Sequence, residues 1–231
     1  MIQYLKWDSE FFNLKIGKSV TFNDEIVSEM ESDNFDLLYV FAKNPTCENL
    51  IYLQKYNANL VDTKVIFHKH LDFKLDNETL FEFNEIDDVN QLIYLAIESG
   101  HKSRFRLDKN FEAKKFEEMY ENWILNSLKD TSSTKVFVYR DNFKLGGFVT
   151  VEIKNRIGTI GLIAVDVTLR GNGIGAKLIK QVEFYLMQSS VSELEVATQL
   201  ENFGACEFYK QSGFNIKETI NIYHLWKIKM K

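Results

Sequence analysis

The residues with the clearest chemical potential are Arg170-Gly171-Asn172-Gly173-Ile174-Gly175, entered from an apolar strand and left through a long amphipathic helix. Three glycines within five residues remove side chains where a backbone must approach a partner closely. Successive N–H groups at the start of the following helix, helped by its dipole, then form an anion site, and a pyrophosphate is its natural guest. Two other glycine-rich signatures fit less well. A P-loop requires Lys-Ser/Thr after its second glycine, and no such pair occurs here. The dinucleotide fingerprint would place Ala176 at its third glycine, which is permitted, but it belongs to the first strand of a βαβ unit. Here three strands with antiparallel character come first. A second stretch, LEVATQLENFGACEFYKQSGF, sets Asn202 and Tyr209 seven residues apart. That is two helical turns, so both lie on one face about 10 Å apart.

These residues need elements to hold them. Strands are expected at 136–140, 145–154 and 156–167, an antiparallel meander turned at Asp141-Asn142 and Asn155-Arg156. A helix over 173–188 buries Ile174, Leu178, Ile179, Val182 and Leu186; a strand over 194–198 and a helix over 202–212 capped by Gly213 follow. A strand pair at 214–218 and 220–229 closes the chain. Upstream, 81–84 reads as a short strand, 87–99 as a helix ended by Gly100, and 111–128 as an amphipathic helix. Residues 1–75 read as short strands (37–42 and 61–73 among them) and one helix, 46–56, with Thr46 as its N-cap. The polar stretch 76–79 marks a boundary between 1–76 and 77–231.

Composition bounds the function. The 231 residues carry 28 Lys and Arg against 33 Asp and Glu, a net charge of −5 without a basic block. Nucleic acid is therefore not an expected partner. No apolar run approaches membrane-spanning length and the first residues lack a signal-peptide layout, so neither membrane insertion nor export is expected. Cys47 and Cys206 alone cannot build a disulfide framework, which fits a reducing cytoplasm. His68 and His70 lie two apart on a strand without a third ligand, so no metal is expected.

With its Arg170, Gly173 and Gly175 at a strand-to-helix junction, and Asn202, Tyr209, Gly213 and Phe214 in the next block, the chain resembles the GNAT superfamily of acyl-CoA-dependent N-acetyltransferases. The resemblance implies an α+β fold: a central, mostly antiparallel mixed sheet flanked by helices, binding acyl-CoA over 77–231 behind a smaller N-terminal α/β subdomain. It implies that the amides of Gly171, Asn172, Gly173, Ile174, Gly175 and Ala176, with Arg170, hold the pyrophosphate of acetyl-CoA. The backbone of Ile163, Ala164 and Val165 would pair with the pantetheine arm, Asn202 would bond to that arm, and the Tyr209 hydroxyl would sit by the sulfur. WDSEFFNLKIGK, GHKSRFRLD, MYENWILNS and YHLW further resemble the dTDP-fucosamine acetyltransferase branch, whose members acetylate the 4-amine of a nucleotide-linked deoxyamino sugar.

The chemistry so implied is attack of a neutral amine on the thioester, with Tyr209 as general acid to the departing thiolate; a tyrosine titrating near about 10 stays protonated at neutral pH. His224 is the candidate base within the resemblance. Arg104 and Arg106 suit a sugar-nucleotide diphosphate, or else pair with Asp108 or Glu112, and Gln199 lines the cleft. Tyr120 and Trp123 could stack on a thymine, but their helical spacing favours core packing, and Cys206 reads as packing. Two rivals stand beside the sugar: another small-molecule or peptide amine as acceptor, and an acyl-CoA-binding module without catalysis. A homodimer is expected through an exposed final strand.

Overall fold

The computed structural model describes residues 1–71, 79–130, 132–142 and 144–227. Two compact units emerge. The first holds Met1–Val65, Gln199–Glu201 and the chain from Glu218 onward; the second holds Ile66–Thr198 and Asn202–Lys217. The boundary expected between 76 and 77 lies outside the described residues.

The chain begins with β1 (Gln3–Tyr4), α1 (Lys6–Phe12), β2 (Ile16–Ser19), α2 (Asp24–Ser32), β3 (Leu37–Ala42), α3 (Cys47–Lys55) and β4 (Asn59–His70). Three helices thus stand where one was expected. In α2, Asn23 caps the first turn by accepting from the Ile26 N–H at 3.0 Å, and Ile26, Val27 and Met30 turn inward. The expected Thr46 cap is a full capping box, with Thr46 Oγ1 accepting from Asn49 N–H and Asn49 Oδ1 from Thr46 N–H. Ile26, Met30, Phe35, Leu38, Val40 and Leu53 anchor this unit's core.

The second unit continues with α4 (Val89–Ser99), α5 (Arg104–Leu107), α6 (Ala113–Lys129), β5 (Thr134–Asp141), β6 (Lys144–Lys154), β7 (Ile157–Val165), α7 (Ile174–Gln188), β8 (Glu193–Gln199) and α8 (Phe203–Gln211). Strands β5, β6 and β7 form the expected antiparallel meander. The β6–β7 turn is made by Asn155 and Arg156, at φ 53° and 63°, which matches the twist of the flanking strands. The strand expected at 81–84 is instead a single bridge from Glu82 to Phe137. It is held by Gln181, whose Oε1 accepts from Phe81 N–H at 2.7 Å while its Nε2 donates to Val138 O at 3.3 Å. Gly100 does end α4, but not as a left-handed cap, since its φ is −87°. Glycine is required there because a Cβ would come within 2.2 Å of the Tyr120 ring on α6.

The last strand corrects two expectations. β9 (Asn215–Trp226) is one continuous strand, with ion pairs along its polar first half: Lys217 with Glu195 and Glu218 with Lys43. Nor is it an edge. The strand order reads β1-β2-β3-β9-β4 and then β4-β8-β7-β6-β5, so β9 has a neighbour on each side. The exposed final strand from which a homodimer was expected is therefore not present. Among the described residues no helix is long and apolar enough to cross a membrane.

Candidate functional site

Strands β7 and β8 run parallel from the Ile157–Glu193 pair to the Ile160–Val196 pair, and the pairing stops there. At the same point β7 bulges. The Val151–Ile160 and Val149–Ile163 pairs leave Gly161 and Leu162 together opposite Thr150. Thr150 is buried, and its Oγ1 accepts the Leu162 N–H at 2.9 Å, satisfying a donor that the bulge takes out of the ladder. A Cβ at Gly161 would lie 3.0 Å from that oxygen, so glycine suits the position. The extra residue bends β7. Beyond it, Ile163, Ala164 and Val165 are half-buried and keep β6 on one side, while their register with β8 has ended.

The glycine turn follows directly. Asp166 caps a 3-10 turn over Val167–Leu169, its Oδ1 accepting from Thr168 N–H at 2.9 Å and Thr168 Oγ1 at 2.6 Å. Its Oδ2 accepts from Gln91 of α4 at 3.2 Å. The Thr168 bonds first, then Gln91 and the Arg170 charge, hold this carboxyl below its usual range. Arg170 Nε donates to Val165 O at 3.2 Å and Asn172 Nδ2 to Leu169 O at 3.1 Å, closing the turn on itself. Gly171 and Gly173 take φ of 82° and 72°, the left-handed region that glycine enters without strain. A Cβ on either would meet no atom of the chain within 4 Å. Gly173 starts α7 with no side chain capping it, which leaves the first-turn amides of Ile174, Gly175 and Ala176 directed outward. Gly175 serves packing: a Cβ there would come 3.0 Å from the Phe208 ring of α8.

Helix α8 starts differently. Asn202 Oδ1 accepts from Ala205 N–H at 3.4 Å, and its Nδ2 donates to Thr198 Oγ1 at 3.4 Å. Seven residues on, Tyr209 is buried among Phe67, Phe208 and Phe214, with ring centroids 5.3 to 5.7 Å away. Burial pushes its phenol pKa well up, so the hydroxyl keeps its proton throughout the neutral range. Burial also raises the Cys206 thiol, as befits a packing residue rather than a nucleophile. The end of α8 is fixed by Lys69 of β4, which bonds Ser212 O at 2.8 Å and pairs with buried Glu183 of α7 at 2.5 Å.

Arg104 and Arg106 lie on α5; Arg104 sits 4.4 Å over the Phe105 ring and Arg106, exposed, 5.5 Å over Phe116. Of the aromatics read as core, Tyr120 is buried but Trp123 is 43% exposed. Gln199 ends β8 and belongs to the first unit. So does His224, which is fully buried and stacked 4.8 Å from Tyr39. His70 pairs with Glu193 at 2.9 Å, and among the described residues no three His, Cys, Asp or Glu gather as a metal site would require. The second unit thus contains the Ile163–Val165 edge, the glycine turn, Asn202 and Tyr209. Sequence reasoning missed the Thr150–Gly161 bulge and the Asp166–Gln91 tie. A glycine inside a strand pattern is the signal that marks such a bulge.

The profile of the acetyltransferase (GNAT) family matches residues 94–214, more than half of the chain. The chain belongs to the acetyltransferase (GNAT) family. Among curated proteins it is 30% identical over 144 residues to an uncharacterized N-acetyltransferase of Methanocaldococcus jannaschii, an alignment covering 59% of each chain. It is 29% identical over 134 residues to the dTDP-fucosamine acetyltransferase of Escherichia coli, covering 57% of each. The chain therefore spans less than two thirds of either relative. A GCN5-related N-acetyltransferase from Sphaerobacter thermophilus shares the fold at a TM-score of 0.58 and 16% identity, covering 84% of this chain and 62% of that one.

Proposed function

We propose that this GNAT-family chain transfers the acetyl group of acetyl-CoA to the amine of a dTDP-linked deoxyamino sugar. The observation that carries this reading is the parting of β7 from β8 next to an uncapped α7 N-terminus. The amides of Ile174, Gly175 and Ala176 suit the pyrophosphate, with Gly171, Asn172, Gly173 and Arg170 shaping the turn in front of them. The edge of Ile163, Ala164 and Val165 suits the amide-rich pantetheine arm, as an added strand would be held. A strand amide there would also stabilise the oxyanion as the amine attacks.

In the transfer a C–N bond forms and the C–S bond breaks. The departing thiolate takes its proton from Tyr209, which regains one from water. A phenol, with an ordinary pKa of about 10, is protonated at neutral pH and so available to donate at that moment. Asn202 holds the start of the helix that carries Tyr209, and its Nδ2 is the group that would reach the pantetheine. An amine with a pKa near about 8 is partly neutral at cellular pH, so its surplus proton can leave through water; buried His224 enters no step. The acceptor class rests on Arg106 and Arg104 of α5 and on the similarity to the E. coli dTDP-fucosamine enzyme.

The test is thiol release from acetyl-CoA against a panel of dTDP- and UDP-amino sugars, spermidine and an N-terminal peptide. Release that depends on a dTDP-amino sugar, with an acceptor KM raised at least tenfold in Arg106→Ala, is the expected result. Turnover of spermidine or peptide in its place would overturn the acceptor assignment. No release with any amine would favour an acyl-CoA-binding module.

A further inference from the structure

We infer that Trp123 is the platform on which the sugar ring of the acceptor rests, an inference that builds on the acceptor class proposed above. Helix α6 buries Phe116, Tyr120 and Ile124, so core packing explains those residues and leaves the indole of Trp123 43% exposed. That indole does not point at random. Its Nε1 and Cζ2 lie 3.7 Å from where a Cβ of Gly161 would be, over the first residue of the β7 bulge. The bulge is also where β7 parts from β8. An acceptor has to bring its amine to this stretch, and the exposed indole flanks the approach.

The opposite end of the same helix face carries charge. The rings of Phe116 and Tyr120 are 4.9 Å apart, those of Tyr120 and Trp123 5.8 Å, and the Arg106 guanidinium lies over Phe116. Phe116 and Tyr120 are buried beneath this line, so its two ends, Arg106 and the Trp123 indole, are what a ligand can meet, about two turns of α6 or 10 Å apart. A nucleotide sugar matches this order, with its diphosphate at Arg106 and its pyranose towards Trp123. The C–H face and 6-methyl group of a dideoxy sugar are apolar and bury well against an indole, leaving the amine at the ring's rim. A linear polyamine offers no such face.

The experiment compares wild type, Trp123→Ala and Trp123→Phe, using dTDP-4-amino-4,6-dideoxygalactose and dTDP as probes. Trp123→Ala should weaken the sugar nucleotide at least tenfold in Kd and in acceptor KM, while dTDP affinity and acetyl-CoA KM stay within twofold. Trp123→Phe should recover part of the loss. A loss spread equally over dTDP and acetyl-CoA would show a merely structural role and overturn the platform. Unchanged sugar-nucleotide affinity in Trp123→Ala, with wild type active, would overturn the platform alone. A wild type that turns over no amino sugar would remove the acceptor class and the platform together.

Discussion

Helices α7 and α8 each begin just beyond the end of one of two parallel strands, yet their first turns are built in opposite ways. α8 opens on Asn202, whose side chain caps the helix and ties back to Thr198. α7 opens on Gly173 in the left-handed region, with no side-chain cap and no chain atom near the position a Cβ would take. An uncapped first turn leaves donors to be satisfied by something else, whereas a capped one is complete within the chain. In the proposed function this contrast separates two tasks: α7 would present amides to an anion, and α8 would hold Tyr209 in place.

The largest effect should come from placing a negative charge at the open start of α7. Aspartate is one of the few residues that enter the left-handed region, at a cost of about 1 kcal/mol, so Gly173→Asp should melt within a few degrees of wild type. Its carboxylate would oppose the phosphates at a cost of several kcal/mol, lowering CoA affinity by about 100-fold or more in calorimetric titration. Gly173→Asn, which adds a side chain of the same size without charge, should lose much less. Equal CoA affinity in wild type and Gly173→Asp would remove α7 as the anion site.

Next in size is the chemical step. Tyr209→Phe keeps the ring among Phe67, Phe208 and Phe214 and loses only the proton, so kcat should fall by about 100-fold with CoA affinity unchanged. Wild-type kcat in this variant would exclude Tyr209 as the acid. The same substitution tests burial. The folded state holds the Tyr209 proton above the pH, near about 10, at which an unfolded chain releases it. Its contribution is thus present below that pH and lost as pH rises beyond it. Thermal stability of wild type between pH 9 and 11 should fall more steeply than that of Tyr209→Phe.

The smallest effect is on the α8 side of the comparison. Asn202→Ala removes a cap and should cost about 1 kcal/mol of stability in denaturant unfolding. A loss of CoA affinity as large as that of Gly173→Asp would show that the two helix starts share the anion.

How much of this was legible in the sequence depended on how local the cause was. The Thr46 cap, the Asn155-Arg156 turn, the α7 apolar face and the left-handed Gly213 after α8 are set within a few neighbouring residues, and all stand in the structure. Gly100 looked like a helix cap, but its cause is Tyr120, twenty residues away. Two strands, 214–218 and 220–229, were expected where β9 is one, because the partners that let polar Lys217 and Glu218 continue it, Glu195 and Lys43, are distant in the chain. Helix α1 was missed because it spans seven residues without a capping side chain. The candidate site divides along the same line. The glycine turn and the Asn202–Tyr209 spacing are local patterns. The bulge that opens β7 needs Thr150, a residue on another strand.

The most direct test of the account is hydrogen exchange measured with and without CoA. Ligand held as described should protect amides within 161–165 and 171–176 while leaving the far strand β5 unchanged. Protection absent from both segments, despite demonstrable CoA binding, would contradict it.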